Sequence, residues 1–403
     1  MKMKKRILIF GTYPIVKPLH GGQRRVDAIV REYSAKYKDV KYVAVFIKDH
    51  YSDYSSSDIY LKGRWASQAR SDHLTSDIRI GKAIYESPRI RKRITKLIDK
   101  FNPDIIQIEQ VFPYIGLKKI LENMQSKAKI IHSSHNIEVE IKKEVMSIAM
   151  AEQKYIDESI NLIDDYETDL AKNADLVIAV SDSDGKYLIK KGCRNYILAP
   201  NGARISKPTK KALKYWNDIY SINNISNSFG YIGSAHLPNM LGLKEMIGYR
   251  LGFIEPKNKL ILAGSMGNNI ENNFDYSNLL DSTFWLRAYN AGTLSEEQLA
   301  GLLSKIDVVV LPMSSGGGSN LKTAEAILSQ KKIVATDFAF RGFEEYKKLP
   351  NIYIGKNKNE FINKMNEAIN TPRIDLNKHE RDLVDSVLWE STLKKMVQEV
   401  GKI

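Results

Sequence analysis

DVVVLPMSSGGGSNLKTAEAI, Asp307 to Ile327, reads as strand, turn and helix. Val308, Val309, Val310 and Leu311 form the β-branched apolar run of a strand buried on both faces of a parallel sheet. Pro312 ends it. Gly316, Gly317 and Gly318 remove side chains where the chain reverses, and Ser319 or Asn320 can cap the helix that follows. Leu321, Ala324 and Leu328 share one face of that helix, and Lys322 and Glu325 share another. Open helix N–H groups behind a bare turn make an anion site. Lys322 adds positive charge, and Glu325 can accept hydrogen bonds from a sugar diol. The pattern suits a ligand with a diphosphate and a ribose. A plain strand-to-helix turn with a surface ion pair accounts for the same residues.

Strand and helix alternate on both sides of this stretch. Arg6–Phe10 is a first strand, and the loop after it ends in HGGQRR (His20–Arg25) before a helix through Tyr37. Further strands are predicted at Tyr42–Ile47, Asp104–Ile108, Ala128–His132, Leu176–Val180 and Tyr196–Ala199, with one long helix over Ile137–Lys172. Residues 51–76 are polar and read as an irregular insertion. Residues 204–227, Lys-rich and then Asn/Ser-rich, read as an interdomain linker. A second series opens with strand Phe229–Gly233 and helix Pro238–Leu251. It continues through strands Lys259–Ala263, Phe284–Ala288, Lys332–Ala335 and Asn351–Ile354 to a final helix, Asp382–Val400. The division expected is a domain over 1–203, a linker over 204–227, a domain over 228–375, and a C-terminal helix over 376–403 packing back towards the first domain. Each domain is α/β with a mainly parallel sheet. Ligands then bind beyond the carboxyl ends of the strands, in a cleft lined by the loops at Gly21-Gly22, His132–Glu138, Gly233-Ser234 and Gly316–Gly318.

The chain has 403 residues, 43% hydrophobic and 27% charged, enough for two or three globular domains. Its formal net charge of +14 suggests an anionic partner: nucleic acid, a phosphorylated substrate or an acidic membrane surface. No recognisable module interleaves aromatics with basic residues, which argues against nucleic acid. The seven histidines show no ligand spacing with acids or Cys193, so no metal requirement is expected. The lone Cys193 excludes an internal disulfide and points to a reducing, cytoplasmic setting. The apolar run Ile7–Phe10 is too short for a signal peptide or a membrane span. Helix Ser87–Phe101 carries an apolar stripe, and Arg89, Arg91, Lys92, Arg93 and Lys96 make it strongly basic. Residues 89–100 fit a solvated charged face, or a face lying on anionic lipid at the inner side of the cytoplasmic membrane.

Seven segments carry a family resemblance: HGGQRR, HSSHNIE (His132–Glu138), YETDLAKNADLVIAVSDSD (Tyr166–Asp184) with APNGA (Ala199–Ala203), YIGSAHLPNMLGL (Tyr231–Leu243), and AGTLSEEQLAGLLSKIDVVVLP (Ala291–Pro312) leading into GGGSNLKTAEA. In order and spacing they resemble the GT-B-fold retaining glycosyltransferases called family 4 or group 1, over nearly the whole chain and least at 48–85 and 204–227. The resemblance implies two Rossmann-like domains facing a central cleft. It implies transfer of a sugar, with retention, from a nucleotide diphosphate donor to a glycan or lipid-linked acceptor, in bacterial surface polysaccharide or glycoconjugate assembly. No cofactor is implied. On the donor side it places Gly21, Gly22, Gly233, Ser234, Gly292, Gly316, Gly317, Gly318, Ser319, Asn320 and Leu321. His135 would touch the donor sugar or the leaving diphosphate, and Glu325 would hold the ribose hydroxyls. Members usually carry two glutamates eight apart. Here Gly317 stands at the first position, as in a branch with a lysine before the second glutamate, and Lys322 would carry the diphosphate charge. Arg24, Glu109, Asn136 and Glu138 are the acceptor-side candidates. A nucleotide-sugar epimerase on the same fold and a non-catalytic partner subunit are the alternatives.

Overall fold

A computed structural model describes residues 3–204, 206–235, 237–273, 283–315 and 320–403. Gly316, Gly317, Gly318 and Ser319 lie outside the described residues. The chain forms two compact units, Met1–Pro200 with Thr392–Ile403, and Asn201–Ser391.

The first unit is built on β1 (Met3–Gly11), β2 (Tyr37–Phe46), β3 (Ile59–Tyr60), β4 (Ile105–Glu109), β5 (Lys129–Ser133), β6 (Leu176–Ala179) and β7 (Tyr196–Leu198). They form one sheet in the order β3-β2-β1-β4-β5-β6-β7, parallel throughout. Ile7, Leu8, Ile9 and Phe10 expose no surface, as expected of a strand covered by helices on both faces. The second unit repeats the plan with β8 (Asn227–Ile232), β9 (Asn258–Ala263), β10 (Ala288–Gly292), β11 (Val308–Leu311), β12 (Lys332–Ala335) and β13 (Ile352–Ile354). Their order is β10-β9-β8-β11-β12-β13, again parallel. The apolar run Val308–Leu311 is buried in the middle of this sheet, between β8 and β12.

Several boundaries differ from the sequence reading. Residues 204–227 are not simply a linker: Lys210–Ile222 is a helix, capped by the Thr209 side chain. Ala212, Trp216 and Tyr220 recur every fourth residue and are buried, while charged neighbours gave the segment its polar look. Trp216 is fully buried and its Nε1 donates to Gln298 O at 2.8 Å. Within 51–76, Gly63–Arg70 is a helix that buries Ala66 and Ala69. The long helix breaks into Glu138–Ile148 and Gln153–Asn173, with Met150 between them in the left-handed region at φ 51°. The strand expected at 284–288 begins at Ala288, where pairing with β9 starts. The final helix is three: Lys378–Asp385, Trp389–Thr392 and Lys394–Val400. Of the expected segment 376–403, the residues up to Ser391 belong to the second unit, where Ala203 N–H donates to Val387 O at 3.0 Å. Only the last helix joins the first unit, where Tyr37 Oη donates to Val397 O.

If the helix Lys210–Ile222 belongs to the second unit's core, Trp216→Ala destabilises that unit by about 3–5 kcal/mol. Chemical denaturation measures this. A loss within ~0.5 kcal/mol would restore the linker reading.

Candidate functional site

Both sheets reverse their order beside the first strand of the unit, between β1 and β4 and between β8 and β11. Ligand sites form beyond the carboxyl ends of strands at such points. Most of the expected residues sit there.

In the first unit, β4 ends in Glu109, which exposes no surface. Its Oε2 lies 2.6 Å from His135 Nε2, and Gln107 Nε2 donates to its Oε1. Tyr33 Oη donates to Gln107 Oε1 at 2.7 Å. His135 Nδ1 lies 3.2 Å from Tyr13 Oη. Burial pushes the Glu109 pKa up, but His135, Gln107 and Arg25 outweigh it and hold the carboxyl below its ordinary value. Burial lowers the His135 pKa against the pull of Glu109. The pair is therefore a carboxylate and a neutral imidazole, because the buried Arg25 already supplies a cation. Desolvation brings even that guanidinium down to about 10. Nε2–H then donates to Glu109, and Nδ1 accepts from the Tyr13 hydroxyl. A contact from this ring to a ligand would have to displace one of the two. Glu109, expected as an open acceptor-side acid, is instead the buried partner of His135.

The glycine turn is explained locally. His20 caps the helix Gly21–Lys36, with Gln23 closing a capping box. Gly21 is exposed at the first helical position. A Cβ on Gly22 would stand 2.6 Å from Tyr13 Oη, so this glycine makes room for the tyrosine. Arg24, the expected acceptor-side residue, is half-buried, and Arg25 beside it is the one enclosed next to Glu109. Tyr13 and Gln107 were missed in the sequence, and of the adjacent pair Arg24 was chosen over Arg25. The signal present was Gln107 and Glu109, two polar residues on one face of an otherwise apolar strand.

Glu138 opens the next helix and is buried. Its Oε1 accepts from Gln110 Nε2 at 2.9 Å and from Asn136 Nδ2 at 3.5 Å. Its backbone N–H donates to Glu167 Oε1 at 3.0 Å, and Glu167 Oε2 is buried without a hydrogen-bond partner among the described residues. Burial pushes Glu138 up to about 7 and Glu167 up to about 8. Glu138, Asn136 and Gln110 line a cavity of about 320 Å³ that also meets Tyr13.

In the second unit, Gly233 follows β8 and its N–H donates to Ala263 O at 2.8 Å. Ser234 is exposed, and its carbonyl accepts from Asn239 Nδ2 at 2.9 Å. Asn239 Oδ1 accepts from Lys322 Nζ at 2.5 Å. That amine also lies 5.7 Å from the centre of the Tyr231 ring. A Cβ on Gly233 would come within 3.4 Å of it. The Lys322 side chain is half-buried, and desolvation of the amine lowers its pKa to about 8 against the opposing Glu325 charge. Glu325 stands one turn further along the helix Leu321–Leu328. Asn320 takes the N-cap position there, but its side chain makes no capping bond. Gly292, at φ 63°, accepts from Gly264 N–H at 2.7 Å. Gly264, at φ 104°, could carry no Cβ, which would stand 2.2 Å from Gly233 O. Gly233, Gly264 and Gly292 thus form a bare ledge across three neighbouring strand ends.

Residues 20–207 match the family model described as Glycosyltransferase Family 4. Solved structures resemble the whole chain. Sucrose-phosphate synthase from Thermosynechococcus elongatus superposes with a TM-score of 0.67 at 16% identity, covering 99% of each chain. HepE from Anabaena, in complex with UDP and glucose, gives 0.60 at 13%, covering 99% of this chain and 100% of its own. An E. coli trehalose-6-phosphate protein bound with UDP-2-fluoro glucose gives 0.62 at 13%, covering 99% of each. The fold is GT-B. No curated protein matches the sequence. The family match and the GT-B fold together support a glycosyltransferase. Among the described residues no helix is long and apolar enough to cross a membrane, and no group of three His, Cys, Asp or Glu is placed to hold a metal ion.

The raised carboxyls fix a pH dependence. Unfolded glutamates titrate at the ordinary value of 4.5, while Glu138 and Glu167 do so at about 7 and 8 in the fold. The folded state therefore holds more protons over that span, and its stability falls as pH rises. His20 and His132, lowered by burial from 6.5 to about 4, act in the opposite sense below pH 6.5. Between pH 6.5 and 8 the glutamates are left to set the slope. The denaturation midpoint of the first unit should decline across that window, and Glu167→Gln should flatten the decline. A midpoint that rises or stays level in the native chain contradicts this assignment.

Proposed function

We propose that the chain transfers a sugar from a nucleotide diphosphate donor to a hydroxyl group, with retention at the anomeric carbon. The observation that carries this is Lys322. Its desolvated amine rests on a neutral amide, Asn239, at the switch point of the second sheet, beside the glycine ledge. A dianionic diphosphate would add to the single opposing charge of Glu325 and offset the desolvation of the amine. The uncapped start of the helix Leu321–Leu328 offers N–H groups to the same ligand. Gly233, Ser234 and Gly292 leave the backbone open to it, and Glu325 takes the ribose hydroxyls. The UDP compounds bound by HepE and the E. coli protein support a nucleotide-sugar donor.

In the transfer, the acceptor oxygen bonds to the anomeric carbon as the carbon–oxygen bond to the diphosphate breaks. The electron pair leaves with the diphosphate, and a diphosphate oxygen takes the acceptor proton. Lys322 and the helix N–H groups stabilise the departing charge, so no metal is invoked. The acceptor is a glycan or lipid-linked sugar of bacterial surface polysaccharide or glycoconjugate assembly, and the enzyme works at the inner face of the cytoplasmic membrane. Exposed Lys92 and Lys96 on the helix Pro88–Phe101 suit such a surface. Arg89, Arg91 and Arg93 on the same helix are already bound to Tyr60 O, Tyr85 O and Ser56 O.

A thermal-shift panel of nucleotide diphosphates and their sugars tests the donor site. A ligand at 100 times its dissociation constant stabilises by roughly 2.7 kcal/mol. Lys322→Ala and Glu325→Ala should each abolish the shift, and Lys322→Ala should lower transfer by about 10²-fold. No shift with any nucleotide, or unchanged transfer by Lys322→Ala, defeats the proposal. Interconversion of the donor sugar without an acceptor would make the chain an epimerase. Nucleotide binding without any turnover would make it a partner subunit.

A further inference from the structure

The cavity of about 320 Å³ in the first unit is built from polar groups that the fold leaves unused. Thr12, Tyr51, Gln110 and Glu138 line it, and Thr12 Oγ1, Tyr51 Oη, Gln110 Oε1 and Glu138 Oε2 make no hydrogen bond among the described residues. Gln110 sits at φ 62°, in the left-handed region where glycine is the easier residue. The strained backbone brings the Gln110 amide to Glu138, so it is part of the construction of the cavity. Between these polar atoms are apolar walls from Ile80, Phe112 and Ile141.

The volume is near the lower end for small-molecule pockets, roughly 300 Å³. That is room for about one sugar ring and not for a long lipid chain. The charges are largely committed. Lys142 Nζ, the lysine of the lining, donates to Asp77 Oδ2 at 2.6 Å and to Leu74 O at 2.9 Å. Of the other titratable lining groups, Asp77 is this lysine's partner, Tyr13 bonds to His135, Tyr51 and Glu138 offer oxygens, and His50 is exposed. Glu167, with Asp164 and Lys191 around it, backs Glu138 from the helix Gln153–Asn173. Oxygen acceptors and hydroxyls alternating with apolar wall match a neutral pyranose, whose ring has polar edges and apolar faces. A phosphate or carboxylate would meet Glu138 and Asp77 with no uncommitted lysine or arginine.

Resting on the glycosyltransferase reading, we propose that this cavity seats the terminal sugar ring of a neutral acceptor, with a ring hydroxyl held by Glu138 Oε2 and others by Thr12, Tyr51 and Gln110. The sugar end is then recognised here whatever carries it.

Saturation-transfer difference NMR on the full chain tests this with the methyl glycosides of glucose, galactose, mannose, N-acetylglucosamine and rhamnose. Glucose 6-phosphate and glucuronic acid serve as charged probes. At least one methyl glycoside should bind, and the charged probes should not. Glu138→Gln should weaken that binding at least tenfold, and Tyr51→Phe and Thr12→Val several-fold each; these two variants serve if the first does not fold. Binding by none of the methyl glycosides, equal binding of a charged probe, or unchanged affinity in all folded variants overturns the proposal. The nucleotide panel on the same protein separates it from the reading beneath it. Nucleotide binding without glycoside binding refutes the acceptor pocket and leaves the transferase standing. Glycoside binding with no nucleotide binding refutes the acceptor role together with the transferase.

Discussion

A carboxylate with no exposed surface has to be answered by the chain itself, and Glu109 is answered by three elements at once. Its oxygens take His135 from beyond β5 and Gln107 from β4, and the Arg25 charge from the first helix lowers its pKa. Uncompensated, such a charge would be far too costly to bury. The consequences reach outward. His135 is fixed in one tautomer, Tyr13 is fixed by His135, and Gly22 is required to be glycine by Tyr13. A single ionised group thus dictates side chains spread over 122 positions of sequence, the separation of Tyr13 and His135.

The second unit solves a different problem. There the cation, not the anion, lacks a full partner. Lys322 is held by an amide and faces an aromatic ring, with glycine in front of it. The Glu109 centre of the first unit is hydrogen-bonded within itself, whereas the Lys322 centre of the second unit is electrostatically unfinished. That contrast agrees with a charged ligand being taken at Lys322.

What was legible in the sequence followed from strong local rules. β-branched runs such as Val308–Leu311 and Ile7–Phe10 gave strands, and glycines after them gave strand ends. The order of those signals gave two α/β units. What was hidden depended on contacts between distant residues. The helix Lys210–Ile222 was masked because its buried face is only Ala212, Trp216 and Tyr220 among charged neighbours. The break at Met150 carries no glycine or proline to announce it. Glu109 looked like an ordinary acid at a strand end, and nothing local tells that a histidine 26 residues away will cover it. Arg24 and Arg25 are adjacent, so only the turn of the helix decides which one is enclosed.

The last helix has a bearing on synthesis. The second unit is contiguous in sequence, but the first is not: Thr392–Ile403 returns to it after the whole second unit has been made. The Tyr37 hydroxyl waits for Val397 O, and Lys5 Nζ for Val400 O at 3.5 Å. As the chain leaves the ribosome, the first unit can form its sheet early but cannot complete these contacts until residues 392–403 have been made. The buried hydroxyl of Tyr37 stays without its final acceptor through the making of nearly two hundred further residues (Asn201–Ser391). The nascent first unit therefore spends that interval as an incomplete fold, open to chaperones at one defined place.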